Sequence, residues 1–218
     1  MADHIVKFKE VPKGQRFQFF WDYYRIPTIV GIIVAVVVVS LIKTVFFTPD
    51  PDINILITTQ YTFSDENLEE FNKQVELMLD DYNGDNKKIS LATPIAYNEK
   101  ISENDPQYAM AALTKFNVEL ASGLNIIQIT DDEMYKRYEA SECLANYKVF
   151  EEFGVKCPVD NKTEIVKIPL SEIEVFSNIK HADELYLTVR PPMVQHTKKD
   201  KDKEFYKANL NFIIKLIS

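Results

Sequence analysis

Seventeen consecutive residues, Ile26 to Ile42, carry no charge, and only Lys43 interrupts the apolar run before it ends at Phe46-Phe47. A helix rises about 1.5 Å per residue, so about 20 apolar residues cross the ~30 Å hydrocarbon core of a bilayer. A buried core helix or strand is the competing reading, and so long an uncharged stretch argues against it. Pro27 suits the first turn of a membrane helix, where its missing N–H leaves nothing unpaired. Lys43 lies close enough to the far end for its stem to reach the headgroups. Trp21, Tyr23 and Tyr24 on one side and Phe46 and Phe47 on the other form the aromatic belts expected at the two interfaces. The preceding 25 residues are long and contain acids, and bulky Thr44-Val-Phe-Phe follows the run. The expectation is therefore an uncleaved signal anchor rather than a cleaved leader.

Charge sets the expected orientation. Lys7, Lys9, Lys13, Arg16 and Arg25 precede the span against Asp3, Glu10 and Asp22, whereas the first charges after it are Asp50 and Asp52. The positive-inside rule places the N-terminus in the cytoplasm and the C-terminal part outside the cell membrane. Of the 25 Lys and Arg, six precede Pro49, and of the 33 Asp and Glu, three do. That leaves 19 cations against 30 anions outside, a net −11. Such a surface repels nucleic acid, so no DNA or RNA partner is expected, and the bilayer is the first partner implied.

The chain accordingly divides into a cytosolic juxtamembrane tail (1–25), a transmembrane helix (26–47) and an exterior domain (48–218). The 170 residues from Pro49 suffice for one hydrophobic core. Ile53 to Thr58 reads as a strand after Pro-Asp-Pro-Asp punctuation. Ser64 caps a helix with Leu68, Phe71, Val75, Met78, Leu79 and Tyr82 on one face, and Lys88 to Ala96 is a second strand. Asp105 as N-cap, Pro106 as first helical residue and Gly123 as left-handed stop bound a second helix, with Met110, Leu113 and Phe116 leading its apolar side. Truncating Phe116 should on this reading cost about 3–5 kcal/mol. Leu124 to Ile129 is a third, nearly all-apolar strand, and Thr130-Asp-Asp-Glu133 is a capping box opening a third helix. Thr163 to Ile168 and Glu184 to Val189 read as further strands, Lys198 to Lys203 as a charged loop, and Tyr206 to Ile217 as a last helix. The fold class is α/β, with a largely parallel sheet whose first strand lies between the second and third.

Three blocks carry a resemblance. They are the strand followed by Phe63-Ser64-Asp65-Glu66, the segment Asp105-Pro106-Gln107 to Ala121-Ser122-Gly123, and the strand Ile126-Ile127-Gln128-Ile129 leading into Asp131. Together they resemble one lobe of bacterial extracellular solute-binding proteins of the periplasmic-binding type. The aromatic-basic tail Phe19 to Arg25 is similar to single-pass envelope proteins of Gram-positive bacteria. The resemblance implies a periplasmic-binding-like lobe, reduced in size, that holds a small ligand or an envelope protein partner without acting as an enzyme. A structural or assembly subunit of an envelope membrane complex is the alternative.

Candidate site residues follow. Tyr61, Tyr97 and Thr130 lie after or at strand ends, where open α/β sheets bind ligands; core packing is the competing role for the aromatics. Cys143 and Cys157 either close a short disulfide, worth ~3 kcal/mol outside the cell, or are two separate buried thiols. Asp81, Asn83 and Asp85 place oxygens at positions 1, 3 and 5 of a calcium loop. Gly84 at position 4 and Ala92 at position 12 fit a solvated turn better. His4, His181 and His196 have no zinc-binding spacing, and with five glycines no phosphate-cradling loop is present. No metal or other cofactor is expected.

Overall fold

The charge-free run folds as part of α1 (Arg16–Phe47), a 32-residue helix of about 48 Å. It begins ten residues before the predicted span, so Pro27 lies inside it rather than in its first turn. The helix continues through Pro27 at the cost of a single main-chain N–H. Within it Tyr24–Lys43, 20 residues of mean hydropathy 2.5 and none of them buried, is the one segment among the described residues long and apolar enough to cross a membrane. The computed structural model describes residues 12, 14, 16–47, 50–98, 103–177 and 179–218. His4 and most of the charged tail lie outside the described residues, as do the side chains of Tyr23, Phe46 and Phe47. The chain forms two units, Met1–Pro49 and Asp50–Ser218.

In the second unit β1 (Ile53–Thr59) is buried at all seven positions and lies between two parallel partners. These are β2 (Ser90–Ala96) and β3 (Asn125–Asp131). The first strand therefore sits between the second and third, as the βαβ pattern predicts. A central strand sends its two crossovers in opposite directions, and right-handed connections then fall on opposite faces. Accordingly α2 (Asp65–Met78), capped by Ser64, buries Phe71 and Val75 against Ile53, Ile55, Ile57 and Ile127. On the other face α3 (Pro106–Ser122) meets Leu56 and Ile95. Asp52 ties the α2–β2 turn to the foot of β1, its carboxylate accepting from the N–H groups of Tyr82, Asn83 and Ile89 at 2.9–3.1 Å.

Two predicted features differ. The sheet is mixed, in the order β2-β1-β3-β5-β4. Here β4 is Lys167–Pro169 and β5 is Leu185–Val189, which runs antiparallel to both β3 and β4. The connection from β4 to β5 contains three 3₁₀ turns that bury Leu170, Phe176 and Ala182, and no crossover helix. The chain thus re-enters the sheet from the end where β4 stopped, which requires an antiparallel strand. Second, Lys198 to Lys203 is not a loop: α6 (Val194–Lys198) and α7 (Asp200–Ile217) take it up, and Tyr206, Leu210, Phe212 and Ile213 of α7 enter the larger core. Between β3 and β4 lie α4 (Asp132–Ala140) and the short α5 (Lys148–Glu152). The N-cap of α4 is Asp131, which accepts from the Met134 N–H at 2.9 Å, while Thr130 remains in the strand.

A histidine clamps the end of α3. His196 is 2% exposed; its Nδ1 accepts from the Met193 N–H at 2.9 Å, so the proton resides on Nε2, 2.9 Å from the Gly123 carbonyl. Gly123 adopts φ +71, the left-handed conformation that favours glycine, and a Cβ there would lie 1.9 Å from Gln195 Nε2, so that side chain would have to move. Burial pulls the His196 pKa down, assisted by Arg190 and opposed by the Gly123 carbonyl and Asp202. The unfolded chain, with an ordinary value near 6.5, binds the proton more readily. The clamp's contribution is thus full above about pH 6.5 and is lost as pH falls below it. Urea midpoints for the full chain and for His196→Gln, measured from pH 7.5 to 5, should converge as pH falls. A gap constant with pH would contradict the neutral clamp.

Candidate functional site

Strand register places a polar row on the sheet face covered by α3 and α4. Ile95, Thr58, Thr130 and Tyr186 are neighbours across four strands, and Thr93, Leu56, Gln128 and Thr188 form the next row. A sheet covered on both faces is ordinarily apolar there. Here Thr58, Gln128, Thr130 and Thr188 are all buried. The Thr58 hydroxyl lies 2.9 Å from the Tyr138 hydroxyl, and Thr188 donates to the Gln128 carbonyl at 3.3 Å. Both amide atoms of the Gln128 side chain and the Thr130 hydroxyl have no hydrogen-bond partner among the described residues. Arg190, which follows Thr188 by two residues, also buries an unpartnered Nη1. Burial lowers the Arg190 pKa, and the titratable groups interacting with it are Cys143, Tyr206 and Tyr138. Burial likewise pushes the Tyr138 phenol well above its ordinary range, so it stays protonated.

The cover over this face is thin because of α3. Its buried positions are Ala109 and Ala112, with Phe116 and Leu120 half-buried. Met110 (67% exposed), Val118 (62%) and Leu113 point outward instead of leading the packed side. Small residues bring the helix close to the sheet but fill little volume. A cavity of about 210 Å³ is left between α3 and α4 at the carboxyl ends of β1 and β2. Its walls include Thr58, Ile95, Tyr97, Leu113, Phe116, Tyr138 and Cys143. At the rim the Arg137 guanidinium lies 5.3 Å above the Tyr97 ring and donates to Glu133 at 2.7 Å.

The three strand-end candidates do not share one site. Tyr97 lines this cavity. Thr130 lies in the sheet beside Thr58, fully buried. Tyr61 lines a separate pocket of about 190 Å³ with Ser64, Asn67, Lys180 and His181. Its ring packs on Phe63 and His181 at 5.7 and 4.7 Å, and its pKa is raised by burial and then by Glu184, Asp131 and Asp183.

Cys143 and Cys157 are free thiols: Cys143 Sγ faces the Ser141 carbonyl at the cavity, and Cys157 Sγ faces the Val159 and Tyr147 carbonyls. In the Asp81 loop the candidate ligand oxygens accept main-chain N–H bonds, Asp81 from Gly84, Asp85 and Asn86, Asn83 from Asp85, and Asp85 from Lys87. Those bonds are what a self-capped turn needs. Among the described residues no group of three or more His, Cys, Asp or Glu side chains converges. Comparison with known proteins finds no matching family model, curated protein or solved structure.

Sequence reasoning missed Gln128, Arg137, Tyr138 and Arg190. A glutamine inside Ile-Ile-Gln-Ile-Thr and the alanine spacing 109, 112 were the available signals. Phe116 must also be revalued. It stacks on Tyr138 at 5.7 Å but is half-exposed beside existing empty space, so Phe116→Ala should cost about 1–2 kcal/mol. Phe71, fully buried and stacked on Phe176 at 4.9 Å, should cost about 3–5 kcal/mol when truncated. Denaturant titration of both variants checks the order; a larger loss at Phe116 would mean that the cavity is closed in solution.

Proposed function

We propose that this chain is a membrane-anchored binding module: a single-pass protein with its N-terminus in the cytoplasm, displaying a reduced, solute-binding-like lobe outside the cell membrane. The cavity of about 210 Å³ at the carboxyl ends of parallel strands carries this reading, because open α/β sheets bind ligands there. Its size suits a ligand smaller than the drug-sized molecules that fill about 300–1,000 Å³. Tyr97 and Thr58 would contact the ligand directly, while Thr130 lies behind Thr58 in the sheet. The role is binding, not catalysis.

A second reading has its own observation. Met110 and Leu113, three residues apart, form a short exposed apolar stripe on α3, the kind of surface a protein partner covers in a cell-envelope assembly. Leu113 belongs to both stripe and cavity, so a docked partner and a small ligand would compete for it.

Cys143 lines the cavity and Cys157 does not, which supplies an internal comparison. On intact cells a membrane-impermeant maleimide should modify Cys143. Compounds that occupy the cavity should slow that reaction several-fold and leave Cys157 unchanged. Labelling only after the membrane is opened would overturn the orientation. Failure of every compound in a broad set of small apolar molecules to slow Cys143 would overturn the ligand site.

A further inference from the structure

We propose that Asn72 and Glu76 of α2, with Lys115 of α3, close the outer edge of β2 against a strand from a second copy of this chain. The inference rests on the sheet alone and is independent of the ligand-site reading. β2 is an edge strand, paired with β1 on one side and with no strand among the described residues on the other. A strand points its main-chain groups alternately to its two sides. The Asp52 N–H donates to the Ile89 carbonyl and the Tyr97 N–H to the Thr59 carbonyl, so residues 89, 91, 93, 95 and 97 face β1. Ser90, Ala92, Pro94 and Ala96 therefore face outward, where an incoming strand would pair.

The first three of those positions are already engaged. The Ala92 N–H donates to Asn72 Oδ1 at 3.1 Å, and the Ser90 N–H to Glu76 Oε1 at 3.4 Å. Asn72 is itself held in place, because the Ser90 hydroxyl lies 3.0 Å from its Oδ1 and 3.3 Å from its carbonyl. Pro94 has no N–H to offer, and its carbonyl accepts from Lys115 Nζ at 3.3 Å. The spacing explains why one helix can serve two outward amides. Asn72 and Glu76 are one helical turn apart, about 5.4 Å, and successive outward residues of a strand are about 6.6 Å apart. Neither side chain is part of the packed face of α2, which is Phe71 and Val75. Without these side chains the edge would present free donors and acceptors beside Leu91, which is 49% exposed, the combination that pairs strands between copies.

The test follows the full chain in detergent micelles by amide hydrogen exchange and by copy number in sedimentation. In the native chain the Ala92 amide should be protected although it faces away from β1. Asn72→Ala/Glu76→Ala, both changes to a good helix former, should speed exchange at Ala92 by about tenfold or more at low concentration. The Ile95 amide, on the β1 side, should stay protected and so report an intact strand. As concentration rises, the double variant should exceed the copy number of the native chain, and its Ala92 amide should regain protection as a new strand covers it. Asn72→Asp keeps the acceptor oxygen, so it should behave as the native chain does. Fast exchange at Ala92 in the native chain would overturn the closed edge, whether or not the alanine variants fold. An opened double variant with the copy number of the native chain at every concentration would overturn the guarding role. Association without renewed protection at Ala92, or association of Asn72→Asp, would overturn strand addition at this edge.

Discussion

A strand buried on both faces in the middle of a sheet dictates most of what surrounds it. From Ile53 to Thr59, β1 exposes no residue, so the chain must supply a cover for each face, and the two crossovers leaving and returning past β1 supply α2 and α3 on opposite sides. The two covers are unequal. Against α2, α7 and the 3₁₀ turns a large core forms, with Phe71, Phe150, Phe176, Tyr206 and Phe212 all nearly fully buried. Against α3 the second cluster holds only Leu56, Ile95 and Ala112, with Phe116 and Leu120 at its edge.

That division sets a well-packed side against a sparse one. The first core is braced by Asp52, the helix caps and the His196 clamp, while the Tyr61 hydroxyl and Asn209 Oδ1 on that side lack a partner among the described residues. The second face retains a cavity, an unpartnered glutamine amide and a half-buried guanidinium, features that lower stability where they stand.

Local signals made much of the fold legible. Ser64, Asp105 with Pro106, and Gly123 each mark a helix end through a single side-chain or backbone requirement, and each stands where expected. The β1–β2–β3 order follows from two crossovers. What lay beyond reading was set by distant parts of the chain. The direction of β5 depends on how the 3₁₀ turns pack, and the inward face of α3 was misassigned because alanines, not the larger Met110 and Leu113, touch the sheet. The candidate site was legible only at Tyr97 and Thr130. Gln128 and Arg190 acquire meaning from register, and Tyr138 from its bond to Thr58, relations between residues 60 to 80 positions apart. Tyr61, equivalent to Tyr97 by position after a strand, falls on the other face because its loop turns toward α2.

The central claim of the proposed reading is that the cavity between α3 and α4 holds a small ligand, and native mass spectrometry of the full chain extracted from the membranes in which it is made tests it most directly. The account predicts a population carrying a single small adduct, released on activation and absent once a maleimide occupies Cys143 at the cavity wall. A bare chain throughout, or an adduct that the Cys143-blocked chain retains unchanged, would contradict it.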